Sequence, residues 1–193
     1  KASLQDFKKF VKMDEIVDVE WMPKPNKLTT VVDDKLPISD ASLCAGAWTF
    51  TFDENHRVLM TKLKLRGWDI PGGKTEPDER KSSNDASQMC ISTAIRETFE
   101  ETAVTIKNMK LIGWRLIHNG APEPTTTKFP FPDCYFVYYY AEVDQLHEFN
   151  PEPQENGSIE RSFIPYEDAI QMPKILLHKS LFEKAYQLSK ERK

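Results

Sequence analysis

Three glutamates near the middle of the chain are the residues best suited to do chemistry. Glu97, Glu100 and Glu101 follow Arg96 within Asp85–Val104, a stretch whose pattern predicts a helix beginning at Asp85. Because successive helical residues turn by about 100°, the three carboxylates fall on one face. The opposite face is predicted to be apolar and carries Ile91, Ile95, Thr98, Phe99 and Thr102.

Carboxylates this close together repel one another unless a cation offsets their charge. Mg²⁺ prefers oxygen ligands and usually reaches a protein through a few carboxylates together with substrate phosphates. The preceding Gly72 and Gly73 permit a close backbone approach, so a carbonyl from this turn could join the metal shell. A solvated acidic helix face would show the same glutamates, and only their combination with the glycine pair favours metal-dependent chemistry on a phosphate-bearing substrate.

The order of these residues resembles the signature box of the Nudix hydrolase family. That box runs glycine, five residues, glutamate, seven residues, Arg-Glu, an aliphatic, any residue, Glu-Glu, any residue, glycine and an aliphatic. Gly73, Glu79 and Val104 match, as do the pairs 96–97 and 100–101, and residues 67–71 are similar to the usual lead-in.

The sequence departs from that box in three places. Sixteen residues instead of seven separate Glu79 from Arg96, which indicates a nine-residue insertion within Arg80–Met89. Thr98 replaces the aliphatic residue and Ala103 replaces the closing glycine. These changes affect the packing and the exit turn of the helix, whereas the carboxylates are intact.

The resemblance implies a role for each matched residue. Glu97, Glu100 and Glu101 would ligate Mg²⁺, or Mn²⁺ in its place, with help from the Gly72 carbonyl. Arg96 would orient a glutamate, and Glu79 would steady the loop by pairing with the helix. Metal-activated water would then attack a phosphorus of a diphosphate bridge, with a glutamate as general base. Glu97, Glu100 and Arg96 are therefore the expected catalytic residues.

The substrate is less constrained than the chemistry. The lead-in resembles that of enzymes that hydrolyse a nucleoside triphosphate, for example an oxidised purine nucleotide, to monophosphate and pyrophosphate. Alternatives are a hydrolase of diphosphate-linked compounds such as ADP-ribose, sugar nucleotides or dinucleoside polyphosphates, and a noncatalytic nucleotide sensor.

Candidate phosphate contacts are Lys62, Lys64, Arg66, Gly73 and Lys74, although the lysines and the arginine also suit a solvated strand edge. Candidate base-stacking residues are Trp48, Phe50, Trp114, Phe129 and Tyr135, although strand aromatics are more often core. Glu155 or Glu160 could supply a further metal ligand.

The length and composition fit one folded domain. We expect a single domain over residues 1–193, in which 1–41 form an N-terminal helix, at Leu4–Met13, and an extended arm. A formal charge of −4 argues against broad nucleic-acid binding, and no apolar run approaches the roughly 20 residues that cross a membrane. We therefore expect a cytoplasmic protein that binds a nucleotide and could form a homodimer. The three cysteines are expected to be buried free thiols.

Hydrophobic patterning predicts the elements that hold the candidate site. Ala45–Asp53 and Arg57–Leu63 read as a hairpin, and Lys110–His118 and Asp133–Val143 read as strands, the second one central. Tyr166–Gln171 and Ile175–Lys190 are predicted to be helices, while 120–132 and 150–158 are predicted to be loops. The resulting fold class is α/β (α+β), a Nudix-type mixed β-sheet sandwiched between α-helices.

Overall fold

The computed structural model describes residues 13–36, 41–82, 85–124 and 129–192. The helix predicted for Leu4–Met13 lies outside these residues, apart from Met13, which begins a strand. The strands are β1 Met13–Val17, β2 Asn26–Val32, β3 Cys44–Phe52, β4 Val58–Leu63, β5 Gly67–Asp69, β6 Gly72–Lys74, β7 Val104–Asn119, β8 Asp133–Leu146 and β9 Ser158–Ile164. The helices are α1 Pro77–Ser82, α2 Ala86–Thr102, α3 Tyr166–Ala169, α4 Pro173–Leu176 and α5 Lys179–Glu191.

The strands form one mixed sheet in the order β1-β2-β7-β8-β3-β4-β5, with β6 paired to β3 and β9 paired to β4. The β3–β8 pair is parallel, whereas the other pairs are antiparallel. The aromatic strand β8 lies between β7 and β3, so its predicted central position is confirmed.

The two faces of β8 contact different helices because side chains alternate along a strand. Val137 and Tyr139 pack with Met89, Cys90 and Ala94 of α2. On the other face, Tyr138 and Tyr140 belong to a core cluster that includes Leu181, Phe182 and Ala185 of α5. The sheet is therefore sandwiched between helices, and the predicted fold class is confirmed.

Several elements differ from the sequence predictions. The single helix predicted for Ile175–Lys190 is two helices, α4 and α5, interrupted after Leu177, where His178 adopts a non-helical conformation. The predicted arm contributes β2, which pairs along its whole length with β7. Strand β9 and helix α1 were not predicted from the sequence.

All three cysteines are buried, as predicted. The sulfur atoms of Cys44 and Cys90 are in contact where the start of β3 meets α2. The two positions come together because α2 packs directly on β3, a contact that sequence spacing does not reveal. Cys134 is free and buried, as predicted. In the described part of the chain, no helix is long and apolar enough to span a membrane.

Candidate active site

Helix α2 carries the three candidate glutamates and is anchored at both ends. Its N-cap is Asp85, whose carboxylate accepts a hydrogen bond from the backbone of Ser87 at 2.9 Å. At its C-terminus Ala103 adopts the left-handed conformation, with φ 52° and ψ 39°, that a glycine usually supplies. The exit turn is therefore preserved without the glycine.

The buried face of α2 consists of small or flexible side chains: Ala86, Met89, Cys90, Thr93, Ala94, Thr98 and Thr102. The prediction that Ile95 and Phe99 belong to this face is wrong, because they are 43% and 44% exposed. The hydroxyl groups of Thr98 and Thr49 are 2.9 Å apart, which fixes the helix to β3. A threonine in place of the aliphatic residue thus allows a buried hydrogen bond.

The diglycine turn packs directly against two of the glutamates. An added Cβ at Gly73 would lie 2.5 Å from Oε2 and 2.6 Å from Oε1 of Glu97, so a side chain at this position would displace that carboxylate. The backbone N–H of Gly72 donates to Oε2 of Glu101 at 3.2 Å. Strand β6 holds the turn in place by pairing Gly73 with Ala47 of β3.

Negative charge is concentrated beside this turn. Burial raises the pKa of Glu97, although Arg96 opposes the rise, and the nearby charges of Glu100 and Glu79 add to it. Burial also raises the pKa of Glu101 to about 8, against the hydrogen bond from Gly72, and Glu97 and Asp69 raise it further. These carboxylates therefore interact electrostatically in a partly dehydrated site.

Arg96 joins the elements that surround the site. Its Nε donates to Glu79 at 2.5 Å, its Nη1 donates to Glu97 at 2.8 Å and Glu100 at 2.9 Å, and its Nη2 donates to the carbonyl of Lys74 at 2.9 Å. Although burial opposes the charged form of Glu79, hydrogen bonds from Arg96, Thr93 and the backbone of Glu76 outweigh it and lower the pKa of that carboxyl. Glu79 thus ties α1 to α2.

The candidate phosphate contacts differ in availability. Lys62 lies 3.5 Å from Glu160 and stands over the ring of Trp68, so part of its charge is already offset. Arg66 is exposed and close enough to lower the pKa of Glu101. Lys74 is exposed, and its Nζ lies 5.2 Å from the ring centre of Phe129. Glu155 and Glu160 are both exposed.

Asp69 was missed by the sequence analysis. It is buried, burial raises its pKa, and Lys174 and Arg66 are the main charges that oppose the rise. Its position in the lead-in was the only available signal, because its proximity to Glu101 depends on the fold.

The candidate base-stacking residues divide into two groups. Phe50 and Trp114 are fully buried and Tyr135 is 6% exposed, so these three belong to the core. Trp48 and Phe129 are only partly buried. Only the last two remain accessible enough to contact a ligand.

The donor set suits a hard divalent cation. Within the described ranges, no three His, Cys, Asp or Glu side chains already converge on one point as a metal site. The glutamates nevertheless supply carboxylate oxygens, and the charge of Glu100 raises the pKa of Glu97, whose charge in turn raises the pKa of Glu101. Glu97 and Glu101 also contact the diglycine backbone. Oxygen donors with excess negative charge are what Mg²⁺ requires, so the residues present fit the ion.

Fold and site together define an α+β protein with a carboxylate-bearing helix packed on a diglycine turn. A family model described as the NUDIX domain matches residues 43–185, which is more than half of the chain. The chain belongs to the Nudix hydrolase family and is an enzyme that acts on diphosphate bridges. Members of this family generally use divalent metal ions. No curated protein matches the chain by sequence.

Several solved structures are similar to this chain. The pyrophosphohydrolase RppH from Bacillus subtilis, in a mutant form, is 20% identical with a TM-score of 0.59, and the alignment covers 92% of this chain and 96% of that one. An Ap4A hydrolase from C. elegans is 17% identical with a TM-score of 0.45, covering 74% of this chain and 96% of that one. An ADP-ribose pyrophosphatase from Streptococcus suis is 12% identical with a TM-score of 0.46, covering 77% and 92%.

Proposed function

We propose that this enzyme hydrolyses a nucleoside triphosphate, such as an oxidised purine nucleotide, to the monophosphate and pyrophosphate with Mg²⁺ as its cofactor. The observation that carries the proposal is the packing of Glu97 and Glu101 against Gly72 and Gly73. A cation would offset the charge that these two carboxylates carry beside the turn when they are ionised, and a triphosphate is a ligand that shares such a cation with protein.

Each residue then has a defined task. Glu97, Glu100 and Glu101 would hold the ion together with the Gly72 carbonyl, and Mn²⁺ would suit the same oxygens. A bound divalent cation activates water and neutralises developing phosphate charge. One of the three glutamates accepts the proton of the attacking water.

Arg96 and Glu79 position that group of glutamates. Arg96 fixes Glu97 and Glu100 from one side, and Glu79 fixes Arg96 from the other. On the substrate side, the backbone of Gly73 and the side chains of Arg66 and Lys74 would contact the phosphates. Lys62 would also contact a phosphate, but its charge is already partly offset by the ion pair with Glu160.

A nucleotide panel tests the proposal. The enzyme is incubated with Mg²⁺ and, separately, with guanosine and adenosine triphosphates, an oxidised guanine triphosphate, ADP-ribose, a sugar nucleotide and a dinucleoside polyphosphate. The reaction is run in ¹⁸O-labelled water, and the products are resolved by chromatography and mass spectrometry. Monophosphate plus pyrophosphate from the triphosphates supports the proposal. Selective cleavage of the bridged compounds would show that the substrate is one of these compounds instead of a triphosphate. Binding without turnover of any compound would contradict the proposed hydrolysis.

Glu97→Gln tests the residue assignment. We expect it to fold normally and to lose roughly 100-fold or more in kcat, because one charged ligand is removed from the reacting centre. The control is Glu167→Gln at an exposed glutamate of α3, which should leave kcat unchanged. Equal activity of the two variants would rule out Glu97 as a ligand.

A further inference from the structure

An aromatic cluster lies against Gly72 of the diglycine turn. It consists of Trp21, Trp48, Phe129 and Phe136. The indole of Trp48 packs against Gly72, its ring centre is 4.6 Å from that of Phe136, and Phe136 in turn is 6.1 Å from Trp21. A continuous row of rings therefore leads from the turn to the N-terminal arm.

Trp21 ends this row and is more than half exposed. Its indole is nearly parallel to the Phe136 ring, with 16° between the planes, and it meets Phe129 edge-on at 6.2 Å. It is 53% exposed although Phe136 beneath it is only 8% exposed. A large aromatic ring that lies over a buried ring and stays half exposed can provide a stacking surface.

The loop that carries Trp21 is held in a fixed conformation. The buried side chain of Asn26 accepts a hydrogen bond from the backbone of Val19 at 2.8 Å. It also donates to the carbonyls of Val19 and Met22, both at 3.1 Å. Trp21 lies between these two residues, so the stacking surface is formed before any ligand arrives.

Charge at the cluster favours an anionic ligand. Lys74 follows the glycine pair directly, and its ammonium lies 5.2 Å from the Phe129 ring centre. The same residue thus connects the turn with the rings. A ligand with an aromatic ring over Trp21 and a phosphate at Lys74 would use both features, and a nucleotide has both.

We propose that Trp21 and Phe129, with Lys74, form the nucleobase subsite of this enzyme, and that the N-terminal arm supplies its main stacking residue. The inference rests on the proposed function for the position of the diphosphate. A purine is the expected base because its two rings cover more of an indole than a pyrimidine does.

Binding of a nucleoside monophosphate tests the subsite apart from hydrolysis. AMP and GMP contain no diphosphate bridge, so their affinity can be measured without metal by tryptophan fluorescence quenching and by calorimetry. Trp21→Ala should weaken binding by roughly 5- to 150-fold, the range found when an aromatic is removed from a base stack. Trp21→Phe should restore most of it, and ribose 5-phosphate should bind equally to all three proteins.

The matched control is Val17→Ala, which removes another exposed apolar side chain from the same arm. It should not change the affinity for AMP. Thermal unfolding of each variant checks that the arm remains folded. With a triphosphate that the enzyme hydrolyses, Trp21→Ala should raise KM while leaving kcat within about twofold, because stacking stabilises the bound substrate and the transition state equally.

The outcomes separate this subsite from the catalytic proposal. Equal AMP binding by the wild type and Trp21→Ala overturns the subsite even if triphosphates are hydrolysed. Weakened AMP binding in Trp21→Ala, restored by phenylalanine, supports the subsite even if no triphosphate is cleaved. Equal binding of AMP and ribose 5-phosphate by the wild type also overturns it.

Discussion

Replacing Gly73 by alanine adds one methyl group directly against the Glu97 carboxylate. The new Cβ would lie 2.5 Å and 2.6 Å from the two carboxylate oxygens, whereas unstrained contact needs about 3.5 Å. The Glu97 carboxylate must therefore move by about 1 Å. A displacement of about 1 Å at a reacting centre can reduce the rate about 100-fold, so we expect Gly73→Ala to lower kcat by that order.

The loss should be local, and a matched control shows whether it is. Gly67 has φ 73° and no atom within 4 Å of an added Cβ, so Gly67→Ala strains the backbone without touching the site. It should reduce the free energy of unfolding by about 1 kcal/mol and leave kcat unchanged. Steady-state kinetics and urea unfolding measure both quantities for each variant.

A second substitution tests the contact itself. Glu97→Asp withdraws the carboxylate by one methylene and lowers activity by itself. In the Glu97→Asp background the added methyl of Gly73→Ala has more room, so it should lower kcat by less than about 10-fold. Contacting residues are expected to show such non-additivity. If Gly73→Ala retains wild-type kcat, or costs equally in both backgrounds, the argument that Gly73 makes room for Glu97 is refuted.

Two further predictions concern stability. Ala103→Gly should raise the free energy of unfolding by about 1 kcal/mol, because glycine adopts φ 52° without the steric cost that alanine has there. Urea unfolding measures the gain, and a loss of stability would contradict the assignment of the helix end. His178 is buried with its Nδ1 unbonded among the described residues, and burial, followed by Arg115 and Lys174, lowers its pKa well below 6.5. The unfolded chain binds a proton at this imidazole near pH 6.5, whereas the folded chain does not. The stability contributed by neutral His178 is therefore complete above pH 6.5 and declines as the pH falls toward the folded pKa. Between pH 7.5 and 5.5 the wild type should lose about 1.4 kcal/mol more than His178→Leu, and equal losses would show that His178 titrates normally.

The sequence predicted that the three glutamates lie close together, because they follow one another on one helix. Local spacing alone places Glu97, Glu100 and Glu101 on one side of α2. The apolar side was predicted poorly, since Ile95 and Phe99 are large apolar residues but are exposed. Close packing of α2 on β3 needs small side chains such as Ala94 and Thr98, and hydrophobicity does not rank these highly.

Residues that reach the site through the sheet could not be predicted. Trp21 lies near the turn only because β2 pairs with β7, which pairs with β8, whose Phe136 then lies beneath the indole. Asp69 approaches Glu101 through a similar chain of contacts. Strand register is set by packing across the whole sheet, so no local sequence pattern predicts that these residues are neighbours.

The insertion between Glu79 and Arg96 shows why the motif survives a change in its spacing. Glu79 lies on α1, and its carboxylate bonds Arg96 at 2.5 Å and Thr93 at 2.5 Å despite the sixteen intervening residues. Most of the intervening residues belong to α1 or α2, so the packing of these helices brings Glu79 to Arg96, and the two charge-assisted bonds hold the contact. The geometry that the box encodes is thus the Glu79–Arg96 contact and not the number of residues between them.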